Sequence, residues 1–460
     1  MPTSLLSRRA AAGWAAVLVA ALLALVAGYQ ALGPDTESAA PPPAASPTGP
    51  EEEAPGFLYG RVVTYAGTAY EGRLRWGGGE EAFWDNYFNG VKDENPWAAQ
   101  TPLEGQTEAR PPIKVFGFTI PRGEGPVDLG RPFMARFGDI ARIEARGDGV
   151  RGAIQDGIEF DPDVRVTLKS GTVFDLDRLS SSDFDDGVRI WDRTGRVVDL
   201  GPNEIRLIEL LPTARLRGVP DRLYGTVRTR QGDFTGSLQW DREEATGRDE
   251  LVGRTDDGEV GLRFETIRSI ERRSQGGSLV TQADGRETVL TGTRKVGPGN
   301  RGVYVDDPRY GRVLVSWDAF ERVDFSAGGS GPAYGDFVPG HPLRGTVTTR
   351  SGRRHTGRLV FDLDESETTE TLDAPLEGVD YTIPFGRVTS VALPAGGGRP
   401  VVTLEGGEAL ELERAGDLGE GNAGMLILSE NGASDYVPWG DVTRVEFDSP
   451  AKTAASDDDR

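Results

Sequence analysis

The residues best suited to chemistry lie in one stretch, EEAFWDNYFNGVKDENPW, from Glu80 to Trp97. It gathers Phe83, Trp84, Tyr87, Phe88 and Trp97 around Asp85, Asn86, Asn89 and Lys92. Flat aromatic faces beside amide and carboxylate groups suit stacking on a sugar ring or gripping a peptide. Trp84, Asp85, Tyr87, Asn89, Lys92 and Trp97 are therefore the candidate ligand or partner surface. The same composition also suits an insertion that folds back and buries its rings against its own module.

Other chemistry finds little support. No phosphate loop, Gly-x-Ser-x-Gly elbow, His-Glu-x-x-His helix or dinucleotide fingerprint occurs in the sequence. The chain has no cysteine, which removes disulfides, thiol nucleophiles and thiolate metal sites together. Its two histidines are His341, beside Pro342, and His355, expected to be solvated in the turn RSGRRHTG. Neither suggests a general base, so no catalytic residue and no cofactor is assigned. Two acidic clusters, Asp183–Asp185–Asp186 and Asp362–Asp364–Glu365, could offer oxygen ligands to calcium, but neither has the EF-hand layout. Solvated acidic loops are the preferred account of both. With 73 acids, carboxylate pairs at the roughly 5–10 Å separation of a glycosidase arise by chance. The net charge of −22 repels phosphate backbones, and nucleic-acid binding is not expected.

The elements that must position these residues are strands. Three segments begin alike: LYGRVVTYAGTAYEGRLRW from Leu58, LYGTVRTRQGDFTGSLQW from Leu223 and LRGTVTTRSGRRHTGRLVF from Leu343. Residues alternate between the glycines, Val227 and Thr229 against Arg228 and Arg230, which is the period of a half-buried strand. The glycines themselves read as hairpin turns. Each copy then carries Phe137-x-x-Ile140-x-x-Ile143, Phe264-x-x-Ile267-x-x-Ile270 or Phe385-x-x-Val388-x-x-Val391. A similar mark follows in Trp317-x-x-Phe320-x-x-Val323 and Trp439-x-x-Val442-x-x-Val445; in the first copy Ile205 and Ile208 stand there. Each repeat thus reads as two half-modules, and one half-module alone buries too little surface to be stable. The expected domains are repeat 1 at 57–211 with an aromatic insertion at 77–113, repeat 2 at 222–326 and repeat 3 at 343–448.

Before the repeats, Arg8 and Arg9 precede an uncharged run, Ala10 to Pro34, whose apolar part reaches the ~20 residues that span a bilayer. Residues 1–9 read as a cytoplasmic tail and 10–32 as a transmembrane anchor, with basic residues before and acids after it. A cleaved signal peptide is the alternative, and either reading places the body outside the cytoplasm. Residues 33–55 read as a Pro-rich linker and 449–460 as a disordered acidic tail.

The order of strand, glycine turn, Gly-x-Leu-x-aromatic-Asp, variable loop and further strands resembles the Sm-like branch of the SH3-type small β-barrels. Gly232, Gly236, Leu238, Trp240 and Asp241 carry the likeness, with Gly352, Gly357, Leu359, Phe361 and Asp362 in the third copy. It implies an all-β fold of tandem small SH3/Sm-like barrels after one N-terminal hydrophobic helix. The family's RNA-contact pattern does not carry over. Glu244 and Glu365 stand near the expected asparagine, and Phe264-Glu265 and Phe385-Gly386 replace its late Arg-Gly pair. The function expected is a non-enzymatic cell-envelope binding or scaffolding protein, held at the membrane by its N-terminal segment and meeting an envelope protein or glycan. Alternatives are an envelope polysaccharide hydrolase using carboxylates near Trp84, and a calcium-dependent adhesion module.

Overall fold

The computed structural model describes residues 51–448, except 78, 86, 94, 103–106, 110–112, 116–117, 121–123, 127–131, 147–162, 177–181, 274–275, 395 and 431. These fall within one compact unit, Ser46–Arg460. The expected anchor at 10–32 and the acidic tail lie outside the described residues. Among the described residues, no helix is long and apolar enough to cross a membrane.

Alternating side chains make strands, as in Tyr224–Thr229, where Val227 is fully buried while Arg228 is exposed. The fold is all-β, built of antiparallel sheets. Each repeat supplies ten corresponding strands, and repeat 1 adds four short ones between Val91 and Pro132. In repeat 2 they are Tyr224–Thr229, Gly232–Trp240, Glu250–Thr255, Gly258–Arg263, Ile267–Arg273, Gly277–Gln282, Glu287–Leu290, Val303–Asp307, Gly311–Val315 and Phe320–Phe325. Counting these as strands one to ten, the main sheet runs 7-6-5-10-1-2-8-9 in every repeat. Strands three and four form a hairpin outside the repeat's own main sheet and beside its strand seven, tied in repeat 2 by the reciprocal Arg254–Thr291 backbone bonds.

The two halves of a repeat are interlaced. Strands one and two of the first half pair with ten and eight of the second, while five pairs with six. Strands five and ten join the two sets. Exchange of this kind lets two halves that are marginal alone share one apolar interior. Among the described residues the sheets stay open, with no closed barrel.

Only the middle glycine of each opening motif is a turn. Gly67, Gly232 and Gly352 have φ of +83°, +136° and +80°, the region open to glycine. The outer glycines face each other across strands one and two, as Gly60–Gly72, Gly225–Gly236 and Gly345–Gly357. A Cβ on Gly236 would lie 2.0 Å from the Asp306 carbonyl oxygen, so these glycines admit a neighbouring backbone. The three-residue spacing of the second motif has a related cause. Phe264 sits on a 3₁₀ turn, and a register shift between Ile267 and Ser269 returns Ile270 to the core.

Trp240, Phe264, Trp317 and Phe320 pack together in repeat 2, and Phe361, Phe385 and Trp439 in repeat 3. In repeat 1, Ile205 and Ile208 are fully buried on its tenth strand, Ile205–Leu210. Repeats 2 and 3 share one hydrophobic core, and strand nine of repeat 2 pairs with the fourth strand of repeat 3, Val379–Pro384. Repeat 1 has its own core, capped by Phe337 from the connection between repeats 2 and 3. Within the 77–113 segment, Phe88–Val91 is the third strand, matching its counterparts in the other repeats. The added chain lies between Val91 and Pro132 and pairs with itself at Thr107–Ala109 with Glu124–Pro126.

Candidate functional site

The loop after strand two concentrates the charged groups of every repeat. In repeat 2 it turns through Asp241 (φ +51°) and Arg242 (φ +62°), and in repeat 3 through Asp362 (φ +52°) and Leu363 (φ +53°). Trp240 N donates to Glu244 O, and Phe361 N to Glu365 O; in repeat 1, with Gly77 in the turn, Trp76 N donates to Glu80 O. Farther along, one carboxylate closes the loop by accepting two backbone N–H groups. Asp85 takes those of Glu81 (2.7 Å) and Ala82 (2.8 Å). Asp249 takes Ala245 (3.0 Å) and Thr246 (2.8 Å), and Glu370 takes Ser366 (2.6 Å) and Glu367 (3.0 Å).

The expected ligand surface is largely interior. Asp85 pairs with Arg222, at the start of repeat 2, and both side chains are fully buried. Burial pushes the Asp85 carboxyl up, while Arg222 and the two N–H donors pull it down; the net shift is upward. Trp84 is buried, donates to Ser330 O at 3.1 Å and lies under the Arg222 guanidinium at 4.8 Å. Tyr87 is buried beneath Arg312 at 4.1 Å, and burial pushes its phenol up to about 12. Asn89 donates its backbone N–H and side-chain amide to Asp183. Lys92 is buried and bridges Asp364 (2.5 Å) and Glu370 (3.0 Å) of repeat 3. Burial works against its ammonium, but Glu370 and Asp364 outweigh that and hold its pKa above the usual range. Trp97 is half-buried against Val360, Leu363 and Leu426, with Arg358 over its ring.

Five of these residues, Trp84, Asp85, Tyr87, Lys92 and Trp97, therefore join repeat 1 to the rest of the chain instead of lining an open surface, and Asn89 ties down Asp183 within repeat 1. The physical reason is economy of burial: large rings and charges that bridge modules need partners from more than one of them. Asp85, sealed against Arg222, is not placed to act on a sugar. Asp183 is spent on Asn89, and its backbone carbonyl accepts the Trp76 indole N–H. His355 lies on strand two of repeat 3, not in the turn, with Nδ1 2.9 Å from Asp435.

Repeats 2 and 3 differ in the charges set around this loop. In repeat 2, oxygens of Asp241, Glu243 and Glu244 lie within 4.8 Å of one another. Cations answer them. Arg294 Nη1 is 2.9 Å from Asp241, Arg301 Nη2 is 2.8 Å from Glu243, and Lys295 pairs with Glu244. In repeat 3, Asn422 Nδ2 donates to Asp417 O at 2.7 Å, as Asn300 Nδ2 donates to Lys295 O at 3.0 Å. Gly424 N and Gly302 N then donate to these two asparagines at 2.8 Å each. The match sets Asp417 where repeat 2 has Lys295, Gly416 for Arg294, and Ala423 for Arg301. Burial first, then Asp364, Asp417, Glu370 and Asp362, push the Glu365 carboxyl well up. Burial and Asp373 do the same to Asp417.

Reading the acidic cluster DLDESE alone missed Asp417, Glu370 and Arg222. The Asn-x-Gly pair shared by residues 300–302 and 422–424 is the signal that aligns Lys295 with Asp417. No family model, curated protein or solved structure matches this chain.

Proposed function

We propose that the chain is a non-enzymatic cell-envelope scaffold, anchored through residues 10–32 and displaying its three repeats beyond the membrane. In this reading each interlaced five-strand set is a small barrel of the SH3/Sm-like type that strand exchange leaves open. One observation carries the proposal: the aromatic and charged segment of repeat 1 is used up in fusing all three repeats, through Asp85–Arg222 and Lys92 with Asp364 and Glu370. A rigid multi-module body suits a protein that must hold binding faces in fixed register, because rigidity removes an ordering cost from each encounter.

The experiment is fractionation of cells expressing the full chain with a C-terminal tag, followed by protease treatment of intact cells or spheroplasts. The expected result is a membrane-fraction protein whose body is cleaved from outside. Cross-linking should then trap it against an envelope component. Recovery in the cytoplasmic fraction would overturn the location. Release of soluble fragments from purified envelope polysaccharide by the full chain would overturn the non-enzymatic reading.

A further inference from the structure

We infer that two sheet edges dock onto a second copy of this chain: strand nine of repeat 1, Val197–Leu200, pairs with strand four of repeat 2, Gly258–Arg263, of the other copy. The pattern is a joint the chain already contains. Strand nine of repeat 2 pairs antiparallel with strand four of repeat 3, setting Val313 opposite Tyr381 and Leu314 opposite Asp380. An apolar row then crosses the joint through Leu238, Val305, Val313 and Tyr381, all buried. Repeats 1 and 2 lack this joint. Among the described residues, Val197–Leu200 ends its eight-stranded sheet, and Gly258–Arg263 pairs only within its own hairpin.

The two free edges match each other as the paired ones do. The order Trp76, Val188, Leu200 across repeat 1 mirrors Trp240, Val303, Val315 in repeat 2, so Val198 takes the place of Val313. Val260 stands four residues before Phe264, as Tyr381 stands before Phe385. The row through Leu74 and Ile190 thus reaches Val198 and would continue into Val260. Both valines are only partly buried, unlike Val313 and Tyr381. The neighbouring row complements in charge: Arg75, Arg189 and Asp199 lie side by side, and Glu259 would come next. Strand nine of repeat 3, Ser434–Val437, is a poorer edge. It puts Asp435, 2.9 Å from His355, where repeat 2 has Val313, and a charge in the apolar row blunts pairing. The mate comes from another copy because Asp85–Arg222 and Tyr87 under Arg312 hold repeat 1 on repeat 2 while both edges stay unpaired.

The test uses the full chain, purified in detergent. It has no cysteine, so a disulfide can be placed across the joint without background. Residues directly opposite in an antiparallel pair have Cα atoms about 4.5–5.5 Å apart, within disulfide reach. Val198→Cys and Val260→Cys are made separately, and each must melt with the wild type. After mixing and mild oxidation, they should give at least tenfold more covalent dimer than either variant alone. By light scattering the wild type should have the mass of two or more chains, and Val198→Asp, which copies Asp435, that of one. A cysteine mixture that cross-links no better than its parts would overturn the joint. So would a Val198→Asp variant that keeps the wild-type mass, which would place the contact elsewhere. A wild type that stays single at every concentration would leave these edges to another protein's strand and overturn the inference. If Val198→Asp does not fold, the cysteine mixture decides.

Discussion

The Asp85–Arg222 pair is the sharpest test of the claim that the candidate ligand segment is structural glue. Both side chains are wholly excluded from solvent, and they come from different repeats. Asp85→Asn keeps the shape and an acceptor for the Glu81 and Ala82 N–H groups, but turns an amide donor toward Arg222. Arg222→Met keeps the packing against Trp84 and leaves the carboxylate with two neutral donors. Removing one member of a buried ion pair costs about 3–5 kcal/mol, because the survivor remains desolvated without its counter-charge. Each single variant should fall in that range. The double variant strands no charge and should lose far less than the sum, giving a coupling energy of roughly 2 kcal/mol or more. The assay is urea unfolding at pH 7, followed by tryptophan fluorescence and by circular dichroism. Coincident curves are required before a single free energy is assigned. If the single losses simply add, with coupling below about 0.5 kcal/mol, the pair does not weld the repeats and the reasoning fails.

Three further outcomes follow from the same geometry. Lys92→Met strands Asp364 and Glu370 and should cost about 3–5 kcal/mol in urea unfolding; a loss under ~1 kcal/mol would show that the clasp onto repeat 3 is dispensable. Trp97→Ala should cost about 1–3 kcal/mol, less than a fully buried ring, and raise hydrogen exchange in Met425–Leu428; unchanged exchange there would deny that Trp97 covers this face. Burial pushes Asp183 up to about 6. Since its unfolded pKa is near 3.9, the folded state holds the extra proton between those values, so this group's contribution is present at low pH and lost as pH rises through about 6. Asp183→Asn should therefore melt higher than wild type above pH 7, by up to about 3 kcal/mol of stability, and match it near pH 4. A difference that does not change with pH would sink that assignment.

Local physics was legible in the residues. Alternation at Val227–Arg228, the turn at Gly232 and the three-fold recurrence of the opening motif and the Phe-led mark fix an all-β chain of three alike units, because strand period and turn chemistry act over a few residues. Interlacing of the half-modules was not legible, since a strand's pattern shows which face is apolar but not which neighbour it will pair with. The outer glycines, such as Gly236, looked like turns because only the approach of the Asp306 carbonyl, 70 positions away, reveals that they admit a backbone. The fate of Trp84, Asp85, Tyr87 and Lys92 was likewise decided by tertiary structure. Aromatic and charged groups that grip a ligand have the same composition as those that grip another module. Only the arrival of Arg222, Arg312, Asp364 and Glu370 from distant sequence turns that composition into an interior joint.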